Sequence, residues 1–530
     1  MEEPQPQNYA MHQALQNPII AEKILQNTPI SAKILRLVCT VWNEIILSLP
    51  QPRLTLRLFQ EPASGSRDPD EVDCCHATPF QLFCINMDPR LAKSIEEYGC
   101  LQNYDEHEPT RRISAESKLL HVSDKFSRLV EDLSITFKDE ALTPTLYEIL
   151  QKCCPNLKRL ELFHHKRTFA DPELSHVSLH PLPTRPNLTF LKIFGITEPS
   201  GSPERAQLIL NSASNVTHFT YHGKKYPDLS RNKAIKWLTV HIDCAEMTRI
   251  PTCQGAHGLN KMLNQVKDQI QFLHLKMCMI SEAGNSYDDF GVWRARDEAV
   301  RIGFQIPKMK NLKEFRNEVL DLFRCGDQLQ DIYPERMPNL EILHIAECTN
   351  NLDKLLQNIM QKKDLFNRVK KLHLLDINDP ESITGLRTPF PNLESLTILQ
   401  LDKWIVVELV ELGPHLQACV SLGLKCLELE LSSRNEKLSE FIQGFSNCEE
   451  LLSSLKTLEI RLSSHAYDDL GRVEDGMSQL KQWLLGMKGL DSVTISGIRF
   501  DEDTWEWVKS FIQENKIPID FGENCTIFCY

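Results

Sequence analysis

The sequence predicts an α/β fold made of repeating strand–helix units around a parallel inner sheet. A motif close to x-x-L-x-x-L-x-L-x returns many times between residues 127 and 530. The stretches between its copies carry apolar residues at helical spacing, as in LDKLLQNIMQ (352–361) and LVELGPHLQACV (409–420). A third observation sets a small all-α unit apart at the start: the apolar run LRLVCTVWNEIILSLP (35–50) is closed off by Pro50 and Pro52.

The repeats read, in order, PNLKRLELF (155–163), PNLTFLKIF (186–194), SNVTHFTYH (214–222), KAIKWLTVH (233–241), DQIQFLHLK (268–276) and KNLKEFRNE (310–318). They continue as PNLEILHIA (338–346), NRVKKLHLL (367–375), PNLESLTIL (391–399), LGLKCLELE (422–430), SSLKTLEIR (453–461) and KGLDSVTIS (488–496). SRLVEDLSITF (127–137) fits with one extra residue. The closing L-x-L alternates at period two, so both side chains point to one face of a short strand. One strand and one helix cannot bury that face alone, whereas stacked copies can. Leu160 and Leu191 are 31 residues apart and Leu343 and Leu372 are 29 apart, while the extremes are 19 (Phe219 to Leu238) and 42 (Leu273 to Phe315). The mean is about 30, near the period of leucine-rich arrays.

This pattern resembles the leucine-rich repeat family over residues 127–530 and implies a solenoid with its strands on the inner side. The family's Asn or Cys three positions after the last leucine appears only as Cys278 and Cys348, so the repeats are expected to be irregular. An ordinary α/β protein whose strands begin with PNL is the competing reading. DEDTWEWVKSFIQENKIPIDFG (501–522) reads as a C-terminal cap, with Trp505, Val508, Phe511 and Ile512 on one helix face and a strand after Pro518. Residues 53–126 read as a linker and a degenerate first repeat, with candidate strands at 53–59 and 80–86 and a polar loop at 61–79.

Residues 1–52 form the separate unit. NPIIAEKILQNTPISAKILRLVCTVWNEIILSLP (17–50) holds three short helical pieces, with Pro18 at a helix start and Pro29 as an interruption. So short a unit leaves apolar side chains exposed, and such a patch marks a partner surface. The stretch resembles an F-box, the motif that docks substrate receptors onto the Skp-family adaptor of cullin–RING ubiquitin ligases. KILQNTP and LRLVCTVWNEII carry the resemblance, although Asn17 and Thr28 stand where the family usually has Leu. It implies adaptor contacts at Pro18, Ile24, Leu25, Leu35, Val38, Cys39 and Trp42. The competing reading is an N-terminal helical cap for the repeats.

An F-box followed by leucine-rich repeats implies a non-catalytic substrate receptor of an SCF-type ubiquitin ligase, holding its target near a ubiquitin-conjugating enzyme. Its partners would be the adaptor, a cullin and a protein substrate. The alternative of a different class is an interaction scaffold outside ubiquitin ligases, such as the ribonuclease-inhibitor type of solenoid.

Composition narrows the remaining options. The chain has 530 residues, 42% of them hydrophobic and 25% charged, which fits a globular protein too long for one compact core. Its net charge of -13 argues against nucleic acid. No apolar run is long enough to cross a bilayer, and MEEPQPQNYAMHQ lacks the features of a secretion signal. The 17 scattered cysteines then read as reduced and mostly buried, and the expected compartment is the cytoplasm or nucleus. No catalytic signature or cofactor motif occurs, and Cys74, Cys75, His76 and Cys84 lack paired zinc-ligand spacing. No metal and no enzymatic activity are therefore expected.

Binding is expected on the strand residues that flank the core leucines. In the middle repeats these are Trp237, His241, Phe272, His274, His344 and His373, the residue types that form interaction hot spots. Toward the C-terminus they are Glu428, Glu430 and Glu459, a place for basic residues of a partner. A one-residue slip in register would instead place them in the core.

Overall fold

A computed structural model of the chain describes residues 17, 20, 23, 40–48, 54–58, 92–97, 117, 119–137, 143–164, 180–196, 202–223, 225–243, 254–278, 306–318, 335–345, 356, 357, 359–361, 363–375, 377, 379–400, 412–431, 438–445, 448–467, 476–522, 526 and 527. The chain divides into two compact units, Met1–Ile235 and Lys236–Tyr530. Each holds a ladder of parallel strands.

In the first unit the helix α1 (Thr40–Ser48) precedes strands β1 (Leu54–Leu58), β2 (Ala92–Glu97), β3 (Asp132–Phe137), β4 (Arg159–His164), β5 (Phe190–Ile196) and β6 (His218–Gly223). Each strand from β1 to β6 pairs in parallel with the next. The candidate strand at 80–86 lies outside the described residues. The strand β2, AKSIEE, carries no L-x-L and was not foreseen; Ser94 and Ile95 are its buried side chains among those described.

In the second unit the strands are β7 (Trp237–Asp243), β8 (Phe272–Cys278), β9 (Glu314–Asn317), β10 (Ile342–Ile345), β11 (Lys371–Leu375), β12 (Ser395–Gln400), β13 (Cys426–Leu431), β14 (Thr457–Tyr467) and β15 (Ser492–Phe500). They too pair in parallel and in chain order. Both β16 (Ile519–Phe521) and β17 (Thr526–Ile527) then add to β15.

The core is what the L-x-L alternation requires. Leu160, Leu191, Leu238, Leu273, Leu343, Leu372, Leu396, Leu427 and Leu458 are all buried, as are the apolar residues two positions after them. Helices between strands bury stripes at helical spacing. In α2 (Thr143–Lys152) these are Leu146, Ile149 and Leu150, and in α3 (Ser202–Ser212) Ala206, Ile209 and Leu210. In α4 (Gln254–Val266) they are Leu259, Met262, Leu263 and Val266. The second unit continues with α5 (Glu381–Thr384), α6 (Leu412–Val420), α7 (Leu438–Phe445), α8 (Glu449–Ser454), α9 (Gly476–Gly486) and α10 (Glu502–Asn515). The cap helix α10 starts on Asp501, whose carboxylate accepts from the Thr504 N–H at 2.8 Å, and ends on Lys516 in the left-handed conformation. No helix among the described residues is long and apolar enough to cross a membrane.

The polar ladder missing after the strands is present before them. Nδ2 of Asn156, Asn215, Asn311, Asn339 and Asn392 donates to the carbonyls of Arg128, Pro186, Asp268, Lys310 and Asn367 in the preceding repeat, at 2.6–2.9 Å. These are the asparagines of the PNL, SNV and KNL openings. Immediately after them, two consecutive N–H groups share one carbonyl of the previous repeat: those of Lys158 and Arg159 on Glu131, of Glu341 and Ile342 on Lys313, and of Lys456 and Thr457 on Lys425. Strands β4–β6 and β8–β15 are thus fixed at their starts. Irregularity among these strands lies toward their ends: β5 and β6 slip in register between Ile193 and Ile196, and β14 and β15 between Arg461 and Ala466, whereas β1 and β2 slip at their start. Opposite the slip of β14, Gly497 has φ +85°, and a Cβ there would come 2.2 Å from the Leu462 carbonyl.

Buried side chains cap the helix ends. The guanidinium of Arg185 donates to the carbonyls of Leu150, Cys153 and Cys154 behind α2. Burial lowers the pKa of this guanidinium from its usual value. Cys154, Cys419 and Cys448 are free and buried, and burial pushes their thiols up to about 12, 12 and 11. Such thiols are inert packing groups.

Candidate interaction faces

The face of each sheet opposite its leucine core, the front face, carries the side chains that could meet a partner. In the second unit the strand register aligns Trp237, Phe272, Glu314 and Ile342 in one row. The next row is Thr239, His274, Arg316, His344, His373, Thr397, Glu428 and Glu459. The sequence-predicted residues therefore lie on the expected side.

Trp237 is 43% exposed and lies flat on Phe272, with ring centroids 4.2 Å apart and planes 20° apart. Phe272 was expected as a second exposed anchor. It is only 7% exposed, because the indole covers one side while Arg316 approaches its ring at 5.4 Å. It serves as the floor under Trp237. The edge of Phe272 also meets His274 at 6.4 Å.

The middle of the face is a polar network. His274 Nε2 lies 2.7 Å from Glu318 Oε1. Glu314 Oε1 accepts from Arg316 Nε at 2.7 Å and lies 3.1 Å from His344 Nε2. His344 and His373 stack with centroids 3.7 Å apart and planes 11° apart. Burial, the neighbouring His344 and the Arg316 charge press the His373 pKa down to about 3. Burial also lowers His344, against the pull of Glu314. Burial alone would raise Glu314, but the bonds from His344 and Arg316 outweigh it and hold the carboxyl below its usual value. At neutral pH this is a pair of uncharged imidazoles beside a carboxylate–guanidinium pair. His241, half-buried on β7, aligns with Lys276.

The acidic end is less open to basic residues than its sequence implies. Arg461 reaches Glu428 at 3.2 Å and Glu459 at 2.6 Å, and Thr397 Oγ1 donates to Glu428 at 3.1 Å. The bond to Glu459 comes first in raising the Arg461 pKa, and Glu428 and Glu430 add their charge.

The front face of the first unit holds a patch that sequence reasoning missed. Register aligns Arg159, Phe190 and His218 in one row, Glu161, Lys192 and Thr220 in the next, and Phe163 with Phe194 beyond them. Arg159 stacks over Phe190 at 3.6 Å, and Lys192 lies over Phe163 at 4.5 Å. Phe194 packs on His222 at 4.7 Å, and burial lowers that imidazole to about 4. The signal was present in the sequence: Phe190 occupies the flanking position in PNLTFLKIF that Trp237 and Phe272 occupy in later repeats, and Phe163 and Phe194 occupy the one that His241 does.

Of the proposed adaptor contacts, Trp42 is described, on α1 and buried. Pro18, Ile24, Leu25, Leu35, Val38 and Cys39 lie outside the described residues, as do Cys74, Cys75, His76 and Cys84. Among the described residues no cluster of three or more His, Cys, Asp or Glu could hold a metal ion.

No protein-family model matches the sequence, and no curated protein is significantly similar to it. Among solved structures, the leucine-rich repeat-containing protein LegL7 from Legionella pneumophila is similar at 12% identity and a TM-score of 0.36, over 70% of this chain and 97% of that one. The leucine-rich-repeat architecture itself stands on the strand register and the buried L-x-L positions.

Proposed function

We propose that the chain is a non-catalytic receptor that holds a protein target on the front faces of its repeat ladders. We further propose that residues 1–52 attach it, through a Skp-family adaptor and a cullin, to an SCF-type ubiquitin ligase of the cytoplasm or nucleus. One observation supports the receptor reading above all: a large aromatic side chain, Trp237, stands exposed on the sheet and packs flat on Phe272. Exposed tryptophan is the residue type that anchors protein interfaces. The ubiquitin-ligase reading rests on the F-box resemblance of residues 17–50. The burial of Trp42 fits the scaffold alternative equally well, because a helical cap would also bury it.

Affinity purification of the full chain from cells separates the two. The ligase reading expects adaptor and cullin to come with the wild type and to be lost from the Val38→Asp, Trp42→Ala variant. It also expects Trp237→Ala to lose targets while keeping the adaptor. Undiminished adaptor recovery with the double variant sinks the F-box assignment. Recovery of targets without any adaptor leaves the scaffold.

A further inference from the structure

On the front face of β4–β6 one carboxylate serves two cations. Glu161 Oε1 accepts from Arg159 Nε at 2.6 Å and also meets its Nη2, and Glu161 Oε2 lies 3.7 Å from Lys192 Nζ. Glu161 is enclosed, with its side chain 15% exposed, whereas Arg159 is 46% exposed. Both cations rest on phenylalanine faces, Arg159 on Phe190 and Lys192 on Phe163. Arg159, Glu161 and Lys192 together carry one net positive charge on an apolar floor, with Asp132 of β3 in register beside Arg159, in a chain whose net charge is -13.

We propose that this face is a second docking surface, for a protein segment in which carboxylates alternate with apolar side chains, and that Glu161 occupies the place of one ligand carboxylate until the segment arrives. Charge complementarity sets the sign of the partner. A guanidinium and an ammonium that share one carboxylate have donors to offer a second, and a guanidinium takes a carboxylate through paired donors. The phenylalanines set the rest. Their exposed portions would be covered by apolar side chains of the segment, which a polyphosphate backbone does not supply. The strong negative charge of the whole chain also disfavours a long polyanion. The proposal concerns other strands than the Trp237 site and does not depend on the ubiquitin-ligase reading.

The test uses the purified full chain and fluorescence anisotropy of a short labelled peptide alternating glutamate with leucine and serine. The control peptide has lysine in place of each glutamate, and an oligothymidine serves as a polyanion. The wild type should bind the glutamate peptide, with an affinity that falls as salt rises. Arg159→Glu with Lys192→Glu should weaken it at least about 30-fold. Glu161→Gln should tighten it about fivefold by releasing both cations. That gain of function cannot come from misfolding. No binding by the wild type overturns the proposal, as does an unchanged or weaker Glu161→Gln variant. So does equal binding of the lysine peptide, or displacement of the glutamate peptide by oligothymidine.

Discussion

In the first unit a single carboxylate, Glu161, lies between Arg159 and Lys192. In the second a single guanidinium, Arg461, lies between Glu428 and Glu459. The construction is similar in both. Two of the three groups sit two residues apart on one strand and the third comes from the adjacent strand, but Lys192 is in register with the shared Glu161, whereas Glu428 is in register with Glu459 and reaches Arg461 diagonally. The signs are exchanged. The leucine positions behind these groups are interchangeable: Leu160 and Leu191 are as buried as Leu427 and Leu458. The ladders thus share one back and differ in front, because alternation lets front residues change without disturbing the core.

The comparison can be broken most forcefully from behind. Leu160→Asp in the first unit and Leu372→Asp in the second should each cost several kcal/mol, because each buries an unpaired carboxylate. Urea unfolding followed by circular dichroism measures both. If either variant unfolds like the parent, the two backs are not equivalent.

Acid provides a gentler probe. His373 in the second unit and His222 in the first are held neutral by burial, at about 3 and about 4 against an ordinary 6.5. A depressed histidine pKa means that the unfolded chain binds the proton first. Each group's contribution is complete above about pH 6.5 and is lost as pH falls toward its folded value, with a slope of at most about 1.4 kcal/mol per pH unit. The partial exposure of His373 reduces its share. His222→Gln and His373→Gln should each flatten the acid limb of a stability–pH curve. A curve unchanged by both would show that neither imidazole is held neutral.

The smallest effect concerns the asparagine ladder. Asn156→Ala and Asn339→Ala should each cost about 1 kcal/mol, the net value of one hydrogen bond, and to the same degree in both units. Thermal melts of the two variants would show it. A loss confined to one unit would mean that the strands are anchored differently.

Much of this was legible because it depends on period. The L-x-L alternation located the strands and fixed which side was core, so Trp237, His274, His344 and His373 came out on the front. Whether a front residue is exposed depends on its neighbour in the next repeat, which no single repeat reveals. That is why Phe272 is buried under Trp237, and why the Arg461 pairing of Glu428 and Glu459 was not anticipated. The strand β2 was hidden for a different reason: AKSIEE contributes one buried isoleucine and no alternating pattern. Phe163, Phe190 and Phe194 were readable by the same rule, but within their own repeats nothing shows that Arg159 and Lys192 come to lie on them.

The anchoring of strands at their starts has one more consequence. Leu273 and Phe315 are 42 residues apart and Leu343 and Leu372 are 29 apart, yet both pairs arrive in register. What is inserted after a strand does not alter where the next one begins. Connector length and recognition chemistry can therefore vary separately in descendants of this gene. A repeat can lengthen its connector without moving the front rows, and those rows can be rewritten one strand at a time. An engineer could exchange the charge triplets of the two units by the same route.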